Sequence, residues 1–334
     1  MKKFSDVVIK TDAIYYVNNL GNKVLLIYSP TSANKINLFD KLKNKIRCIS
    51  THETNKEILL IEKYLNDNLN FEYVIGFGGG TALDIAKYIA YKHNLKMIAI
   101  PSMLSTNVYS TDKVLMSYDG IKNTMDSKLP DIIIYDEKIL KLSLLENVYG
   151  FADVLSIFTA TKDWQIAKEN NNEIINEELY DMDVNLLNKV INYILYNDYI
   201  EIINQLYEMF IFIGTAGHIA NLNGNGRPVS GSEHIFAKEL EYRISIPHGI
   251  SVSLGILIMS TYQENFSKEI EKCIEKLKIF EKIHKYNVSK DLIYDILKNL
   301  KPRDDRYSIV NIYDVNNHNT LENIEEILYK LNIS

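Results

Sequence analysis

The chain has 334 residues, of which 46% are hydrophobic and 24% charged, with a formal net charge of -6 at pH 7. This length suits about two domains of roughly 100–200 residues each, and without a basic block the charge argues against a nucleic-acid surface. Two distant cysteines exclude a disulfide framework or a thiolate zinc site and suggest a reducing cytoplasm. The first residues lack the apolar core of a signal peptide, and no apolar stretch reaches the ~20 residues of a membrane span. We therefore expect a cytoplasmic protein that neither enters a membrane nor binds nucleic acid.

The first half of the chain alternates short apolar runs with segments of helical spacing. Strands are predicted at 23–29, 46–50, 71–80, 96–102 and 131–136, and helices at 33–45, 55–68 and 81–94. This alternation is typical of an α/β domain with a mainly parallel sheet covered on both faces. From about residue 137, apolar residues recur at spacings of three and four without a convincing strand. We place the boundary between an α/β domain, 1–147, and an all-α domain, 148–334.

The segment "VIGFGGGTALDIAK" joins a strand to a helix through Gly78, Gly79 and Gly80, and the helix begins near Thr81. Glycines let a ligand approach the backbone, and the N–H groups that open a helix favour an anion such as a pyrophosphate. The spacing is not GxGxxG, and the Lys-Ser/Thr of a P-loop is missing. A tight turn without a ligand is the alternative interpretation.

Polar residues near this loop are further candidates for cofactor binding. Asp84 lies in the first turns of the helix, as does Lys87, although both types of residue are common as solvated helix charges. Ser102 and Ser105 follow the next strand in "IPSMLSTNVYST". Hydroxyls at the carboxyl edge of a parallel sheet lie where open α/β sheets bind ligands.

Two histidines of the second half lie next to glycine-containing segments, His234 in "GRPVSGSEH" and His248 in "IPHGISVSLG". A catalytic zinc usually has three protein ligands and one open position. Asp153 in "YGFADVLS" is the best third candidate, because an unpaired carboxylate within an apolar run is costly and a cation would satisfy it. A local cap or ion pair of Asp153 is the alternative.

The motifs "GFGGGTALDIAK", "ADVLSIFTATKDWQIA", "GRPVSGSEH" and "PHGISVSLG" together resemble the metal-dependent alcohol dehydrogenase and dehydroquinate synthase superfamily. The segments "RPVSGSEH", "TATKDW" and "RDDRYSIV" look most like the sn-glycerol-1-phosphate dehydrogenase group, and the resemblance covers about residues 20 to 310. It implies an N-terminal dinucleotide-binding domain, a helical metal- and substrate-binding domain, and Asp153, His234 and His248 as the metal ligands through which catalysis occurs.

The resemblance also implies which cofactors bind. Iron-dependent members carry a further histidine four residues after the aspartate, where this chain has Ile157, so Zn²⁺ is expected, with Fe²⁺ or Ni²⁺ as alternatives. NAD or NADP would lie along Gly78, Gly79, Gly80 and Thr81, with Asp84, Ser102 and Ser105 nearby. An acid at the end of the second strand would favour NAD. That strand ends in Tyr28 and Ser29, so NADP stays open.

The expected activity is the interconversion of a small polyol or polyol phosphate, such as glycerol-1-phosphate, and its ketone. Three residues are substrate candidates: Asn107, which stands where glycerol dehydrogenases have an aspartate, Lys238 one helical turn after His234, and Arg227. Lys238 as a solvated lysine and Arg227 as a structural partner are the alternatives. A glycerol-type polyol dehydrogenase, a dehydroquinate synthase-like carbocyclase and an inactive nucleotide-binding homologue remain open. The expected partners are a small-molecule substrate and further copies of the chain in a homo-oligomer.

Overall fold

The computed structural model describes residues 7–43, 46–65 and 70–334. The chain divides into two compact units, Met1–Asn147 and Val148–Ser334. The ends of two predicted helices, residues 44–45 and 66–68, lie outside the described residues. No helix in the described part is both long and apolar enough to cross a membrane.

The first unit is built on a parallel sheet. Its strands and those of a separate hairpin are β1 Val7–Lys10, β2 Val24–Tyr28, β3 Arg47–Ser50, β4 Tyr73–Gly78, β5 Lys96–Pro101, β6 Lys113–Tyr118, β7 Ile121–Asp126 and β8 Ile132–Tyr135. Among the described residues the sheet has six strands in the order β1-β8-β5-β4-β2-β3, all parallel, whereas β6 and β7 pair antiparallel. The strands nearest the middle are continuous apolar runs because both faces of such a sheet are covered.

The helices of the first unit are α1 Ala13–Asn18, α2 Pro30–Lys35, α3 Leu38–Lys41, α4 Thr51–Thr54, α5 Ile58–Leu65, α6 Gly80–Lys92 and α7 Glu137–Leu140. The single helix predicted over 33–45 is wrong, because Asn37 adopts a left-handed conformation that separates α2 from α3. The helix predicted from residue 55 begins at Ile58, after left-handed Asn55 and Lys56. The sequence analysis missed β1, α1 and the β6–β7 hairpin.

The second unit, residues 148–334, is described throughout and contains no β-strand, as predicted. Its helices are α8 Ala152–Leu155, α9 Ile157–Asn171, α10 Glu177–Tyr196, α11 Tyr199–Asn204, α12 Leu206–Asn223, α13 Ser232–Arg243, α14 His248–Tyr262, α15 Lys268–Lys276, α16 Lys290–Asn299 and α17 His318–Lys330. Helix α14 is the centre of this unit, since every residue from Gly249 to Tyr262 is buried.

Two charges expected at the surface of α6 are buried. The Lys87 ammonium donates to the carbonyls of Val108 (2.9 Å), Thr111 (3.1 Å) and Lys113 (2.6 Å). Asp84 is 3.7 Å from Lys87 Nζ and 2.5 Å from Lys56 Nζ. Burial lowers the pKa of Lys87 to about 8. The pair therefore ties α6 to the segment that leads into β6, which corrects the interpretation of both residues as solvated helix charges.

We predict that Lys87→Met lowers the free energy of unfolding by about 3–5 kcal/mol, because it leaves three buried carbonyls without their donor and removes one of the two cations beside the Asp84 carboxylate. Urea unfolding followed by circular dichroism measures this. Lys41→Met, at an exposed position of α3, is the control and should change the free energy of unfolding by less than about 0.5 kcal/mol. Equal stability of the two variants would contradict the structural role of Lys87.

Candidate metal centre and nucleotide loop

Asp153, His234 and His248 meet in the second unit. Asp153 lies on α8, His234 on the first turn of α13, and His248 is the first residue of α14. The Asp153 Oδ1 atom is 3.7 Å from His234 Nε2 and 3.3 Å from His248 Nε2. One ligand atom from each of the three residues lies within 4.8 Å of the others. The carboxylate is buried, and both imidazoles are partly exposed.

Close backbone contacts explain why glycines stand near both histidines in the sequence. A Cβ atom on Gly255 would lie 2.5 Å from the Glu233 carbonyl oxygen, and one on Gly249 would lie 2.5 Å from Tyr149. A Cβ on Gly231 would lie 2.9 Å from Ala160 Cα. Side chains at these positions would force the backbones apart. Gly255 therefore lets α14 approach α13, whereas Gly249 and Gly231 let the beginnings of these two helices approach Tyr149 and α9. These close contacts bring His234 and His248 to Asp153.

A second carboxylate holds each imidazole. His234 Nδ1 is 2.7 Å from Glu233 Oε1, and His248 Nδ1 is 2.8 Å from Glu241 Oε1. Glu233 is fully buried and also accepts from the Gly231 N–H and the Thr159 hydroxyl. With Nδ1 donating to a carboxylate, Nε2 carries the lone pair that a metal needs. The sequence analysis missed both glutamates.

The charges around the two imidazoles favour a cation. Burial alone would raise the pKa of Asp153, yet the neighbouring His234 and His248 side chains hold it well below its usual range. Burial would lower the pKa of His248, yet hydrogen bonds to Asp153 and Glu241 raise it to about 10. Three carboxylates thus surround two imidazoles. Two nitrogen donors and one carboxylate oxygen, each histidine backed by a further carboxylate, fit a divalent metal of the zinc type.

Asp163 is a further buried carboxylate that sequence reasoning missed. Its oxygens accept from the N–H groups of Ser232 (2.6 Å) and Ile309 (2.8 Å). Burial raises the pKa of Asp163 to about 6, despite these hydrogen bonds. Asp163 therefore joins α9 to the start of α13, the helix that carries His234, and to the segment after "RDDRYS". The "TATKDW" motif contained this residue, but spacing alone gave no sign of its burial.

The glycine loop of the first unit lies at the carboxyl end of β4. Gly78 has φ +150°, and a Cβ there would lie 2.8 Å from Ser29 Cβ, so packing requires this glycine. Packing requires neither Gly79 nor Gly80, because the nearest neighbours of an added Cβ are Met103 Sδ at 3.4 Å and Thr106 Oγ1 at 3.7 Å, respectively. Small side chains could therefore be accommodated at Gly79 and Gly80, so packing does not explain these two glycines, and the first turn of α6 contains no acidic residue.

The position of this loop in the sheet also favours a nucleotide. The chain runs from β2 outward to β3 on one side and from β4 to β5 on the other. Ligands of open α/β sheets bind at such a reversal, outside the carboxyl ends of the strands. The Ser29 N–H donates to the Phe77 carbonyl (2.9 Å), which brings the end of β2 against the glycine loop. Two glycines that packing does not require, a helix amino end and the reversal point together fit a dinucleotide pyrophosphate.

The remaining cofactor candidates differ in accessibility. Thr81 is exposed at the start of α6, and Ser105 is partly exposed after β5. Ser102 is buried, and its hydroxyl is 2.8 Å from the Ser32 hydroxyl. Asp84 is enclosed by Lys56 and Lys87. These contacts favour a structural role for Asp84, and its contact with a cofactor stays a prediction.

The three substrate candidates differ in burial and in their contacts. Arg227 is only 2% exposed, and its guanidinium donates to Glu173 (3.0 Å) and to the Asp163 carbonyl (3.3 Å). These contacts favour the structural interpretation of Arg227 over a substrate contact. Lys238 keeps an exposed surface on α13, four residues after His234. Asn107 is partly exposed in the first unit, where its carbonyl accepts from the Ser110 hydroxyl.

Comparisons with known proteins agree with this architecture. The family model "Iron-containing alcohol dehydrogenase" matches residues 7–143. The glycerol-1-phosphate dehydrogenase [NAD(P)+] of Thermoplasma volcanium is 30% identical over 79% of this chain and 76% of its own length. The glycerol-1-phosphate dehydrogenase [NAD(P)+] of Methanococcus aeolicus is 28% identical over 85% of this chain and 84% of its own length. The solved structure of a probable glycerol dehydrogenase from Sinorhizobium meliloti covers 98% of both chains with a TM-score of 0.67 at 15% identity, which shows the fold.

A parallel sheet with a glycine-rich strand–helix loop, followed by a helical unit that clusters one aspartate and two histidines, defines the class of two-domain, metal-dependent dehydrogenases. Within this class, the chain belongs to the iron-containing alcohol dehydrogenase family, which includes the glycerol-1-phosphate dehydrogenases. The resemblance drawn from the sequence motifs is confirmed.

We predict that His248→Ala removes the bound divalent metal and the activity, while the chain stays folded. Loss of one of three ligands leaves too few donors to retain the ion, whereas the fold rests on the helix packing. Elemental analysis of the purified variant measures the metal. His284→Ala, at an exposed position of the same unit, is the control and should keep the metal content of the wild type. Full metal content in His248→Ala would show that the three residues are not the ligands.

We predict that Gly79→Val raises the dissociation constant for NADH and NADPH by at least about tenfold, because its side chain would keep the pyrophosphate away from the N–H groups that begin α6. Gly79→Ala should have a smaller effect. Titration followed by cofactor fluorescence measures binding, and circular dichroism checks the fold. Wild-type affinity in both variants would mean that the loop is a turn without a ligand.

Proposed function

We propose that this protein is an NAD(P)-dependent, metal-dependent oxidoreductase that interconverts a small polyol phosphate and its ketone, such as glycerol-1-phosphate and dihydroxyacetone phosphate. The observation that carries the proposal is the convergence of Asp153, His234 and His248 within 4.8 Å. Glycerol-1-phosphate dehydrogenases related over most of the chain support the substrate class.

In this proposal, Asp153 and the Nε2 atoms of His234 and His248 are the metal ligands, and Zn²⁺ is the metal. The side chain of Ile157, one turn after Asp153, is apolar and fully buried, so it offers no fourth donor of the kind expected for iron. Three protein ligands leave a position open for a substrate oxygen. Fe²⁺ and Ni²⁺ are the alternatives that metal analysis distinguishes.

The cofactor is NAD or NADP, held by the backbone of Gly79, Gly80 and Thr81 at the amino end of α6. Gly78 shapes the loop rather than contacting the cofactor, because its missing side chain makes room for Ser29. Strand β2 ends in Tyr28 and is followed by Ser29, so no acid stands there to repel a 2′-phosphate. We therefore infer that both cofactors are accepted.

When bound, the metal would supply Lewis acidity toward the substrate oxygen, and the nicotinamide would exchange the hydride. The chain itself orients these groups. Glu233 and Glu241 fix the tautomer and the direction of the two imidazoles. Ser251 donates to Glu241 and thereby keeps that carboxylate in place. Proton release needs no dedicated base in this proposal, because water can reach the partly exposed histidines.

A glycerol-type polyol dehydrogenase is the second candidate, favoured by the fold shared with the probable glycerol dehydrogenase. The aspartate ligand argues against the carbocyclase alternative, because that class usually has a glutamate as its first ligand. An inactive nucleotide-binding homologue would not need the carboxylate support that both imidazoles receive. The homo-oligomer and the cytoplasmic location remain predictions from the sequence.

The decisive experiment assays zinc-loaded protein with NADH and with NADPH, each against dihydroxyacetone phosphate and dihydroxyacetone. We expect oxidation of both cofactors and a kcat/KM for the phosphate at least about tenfold above that for dihydroxyacetone. Equal kcat/KM values for the two ketones would instead indicate a glycerol-type polyol dehydrogenase that does not recognise the phosphate. No cofactor oxidation with either ketone would reject the proposed function, with His248→Ala as the blank for contaminating activity.

A further inference from the structure

Three cations lie near α13, the helix that carries His234, and the proposed mechanism does not use them. Lys238 lies on α13, four residues after His234. Electrostatic interactions connect Lys238 with Arg303 and Arg306, which belong to the "RDDRYSIV" segment. The Arg306 guanidinium donates to the Ser230 carbonyl (2.6 Å), which lies just before α13. The fold therefore brings a distant cationic segment to the helix that carries His234.

The acids around this cluster do not balance it. Asp305 accepts from Nε and Nη2 of Arg303, each at 2.7 Å, and lies 3.5 Å from Arg306. Among the described residues, Lys238 has no carboxylate within ion-pair distance. Glu241, which also interacts with Lys238, is bound to His248, and Glu233, which interacts with Arg306, is bound to His234. Three positive charges thus share one dedicated carboxylate.

The pKa values of Lys238 and Arg306 reflect this concentration of positive charge. Although part of Lys238 is exposed, desolvation and the positive charges of Arg303 and Arg306 lower the pKa of its ammonium to about 8. Burial and the neighbouring Arg303 lower the pKa of Arg306 to about 10. Like charges held together without enough acids destabilise the protein unless an anion neutralises them. Such an arrangement is typical of functional sites.

We propose that Lys238, Arg303 and Arg306 form a subsite for a phosphate monoester dianion, and that the phosphate of the substrate occupies it. The inference rests on the proposed function and names the residues that select a phosphorylated substrate. A planar guanidinium can bind two phosphate oxygens, and a lysine adds a point charge. Since Lys238 lies one helical turn from His234, the phosphate would be bound close to the metal.

The test removes one positive charge at a time and keeps a polar side chain in its place. Lys238→Gln and Arg303→Gln remove one charge each, Lys238→Arg keeps it, and Lys272→Gln, at an exposed position of α15, is the charge-matched control. Binding of inorganic phosphate is measured by calorimetry, and KM and kcat are measured for dihydroxyacetone phosphate, dihydroxyacetone, NADH and NADPH. Thermal melting and metal analysis establish that each variant is folded and loaded.

We expect Lys238→Gln and Arg303→Gln to weaken phosphate binding and to raise the KM for dihydroxyacetone phosphate on the order of 10-fold to 100-fold, the loss typical of a charged hydrogen bond. The KM values for dihydroxyacetone and both cofactors should stay within twofold of the wild type. Lys238→Arg should recover most of the phosphate affinity, and Lys272→Gln should behave as the wild type.

Wild-type phosphate affinity and wild-type KM for dihydroxyacetone phosphate in both glutamine variants would overturn the subsite. A rise confined to the KM for NADPH would also overturn it, because the cluster would then bind the cofactor. If the wild type does not reduce dihydroxyacetone phosphate but the glutamine variants lose phosphate affinity, the anion subsite stands and the proposed function fails. The two inferences can therefore fail separately.

Discussion

The close approach of α13 and α14 is the constraint on which the metal centre depends. A Cβ atom on Gly255 would come within 2.5 Å of the Glu233 carbonyl, so a larger residue there would separate the helices. Glu233 precedes His234, and His248 begins the helix that contains Gly255. Because these residues share one contact, the spacing of the helices sets the position of both imidazoles. Close-packed interiors transmit such displacements instead of absorbing them.

Buried carboxylates then make this packing specific. Glu233 contacts the Gly231 N–H, the Thr159 hydroxyl and the His234 ring, while Asp163 accepts from the N–H groups of Ser232 and Ile309. Each of these carboxylates would be costly to bury alone. Together they pair most of the polar groups at the start of α13 and restrict that turn to one arrangement. The rigidity that a metal ligand needs therefore comes from hydrogen bonds to buried carboxylates as well as from apolar packing.

The sequence predicted the features that depend on local pattern. Continuous apolar runs marked strands such as β2, and an acid within an apolar run marked Asp153. The residues that sequence reasoning missed depend on tertiary contacts. In the sequence, Glu233, Glu241 and Asp163 cannot be distinguished from acids on a solvated helix face. Only the packing of the helices buries Glu233 and Asp163 and brings Glu241 to His248. The break at Asn37 depends on a single left-handed residue, which helical periodicity over 33–45 conceals.

Opposite charges on neighbouring parts of one helix limit the substrate that fits. The turn of α13 with His234 lies among carboxylates, whereas Lys238, four residues later, lies among arginines. Four residues of α-helix advance by about 6 Å, so an anionic group at Lys238 and an oxygen at the metal must belong to a short molecule. A substrate of about three carbons with a phosphate at one end and the reacting hydroxyl near it meets this condition. An uncharged polyol would leave the cations without an anion. The local excess of positive charge therefore favours the phosphorylated substrate, although the chain as a whole carries a net charge of -6.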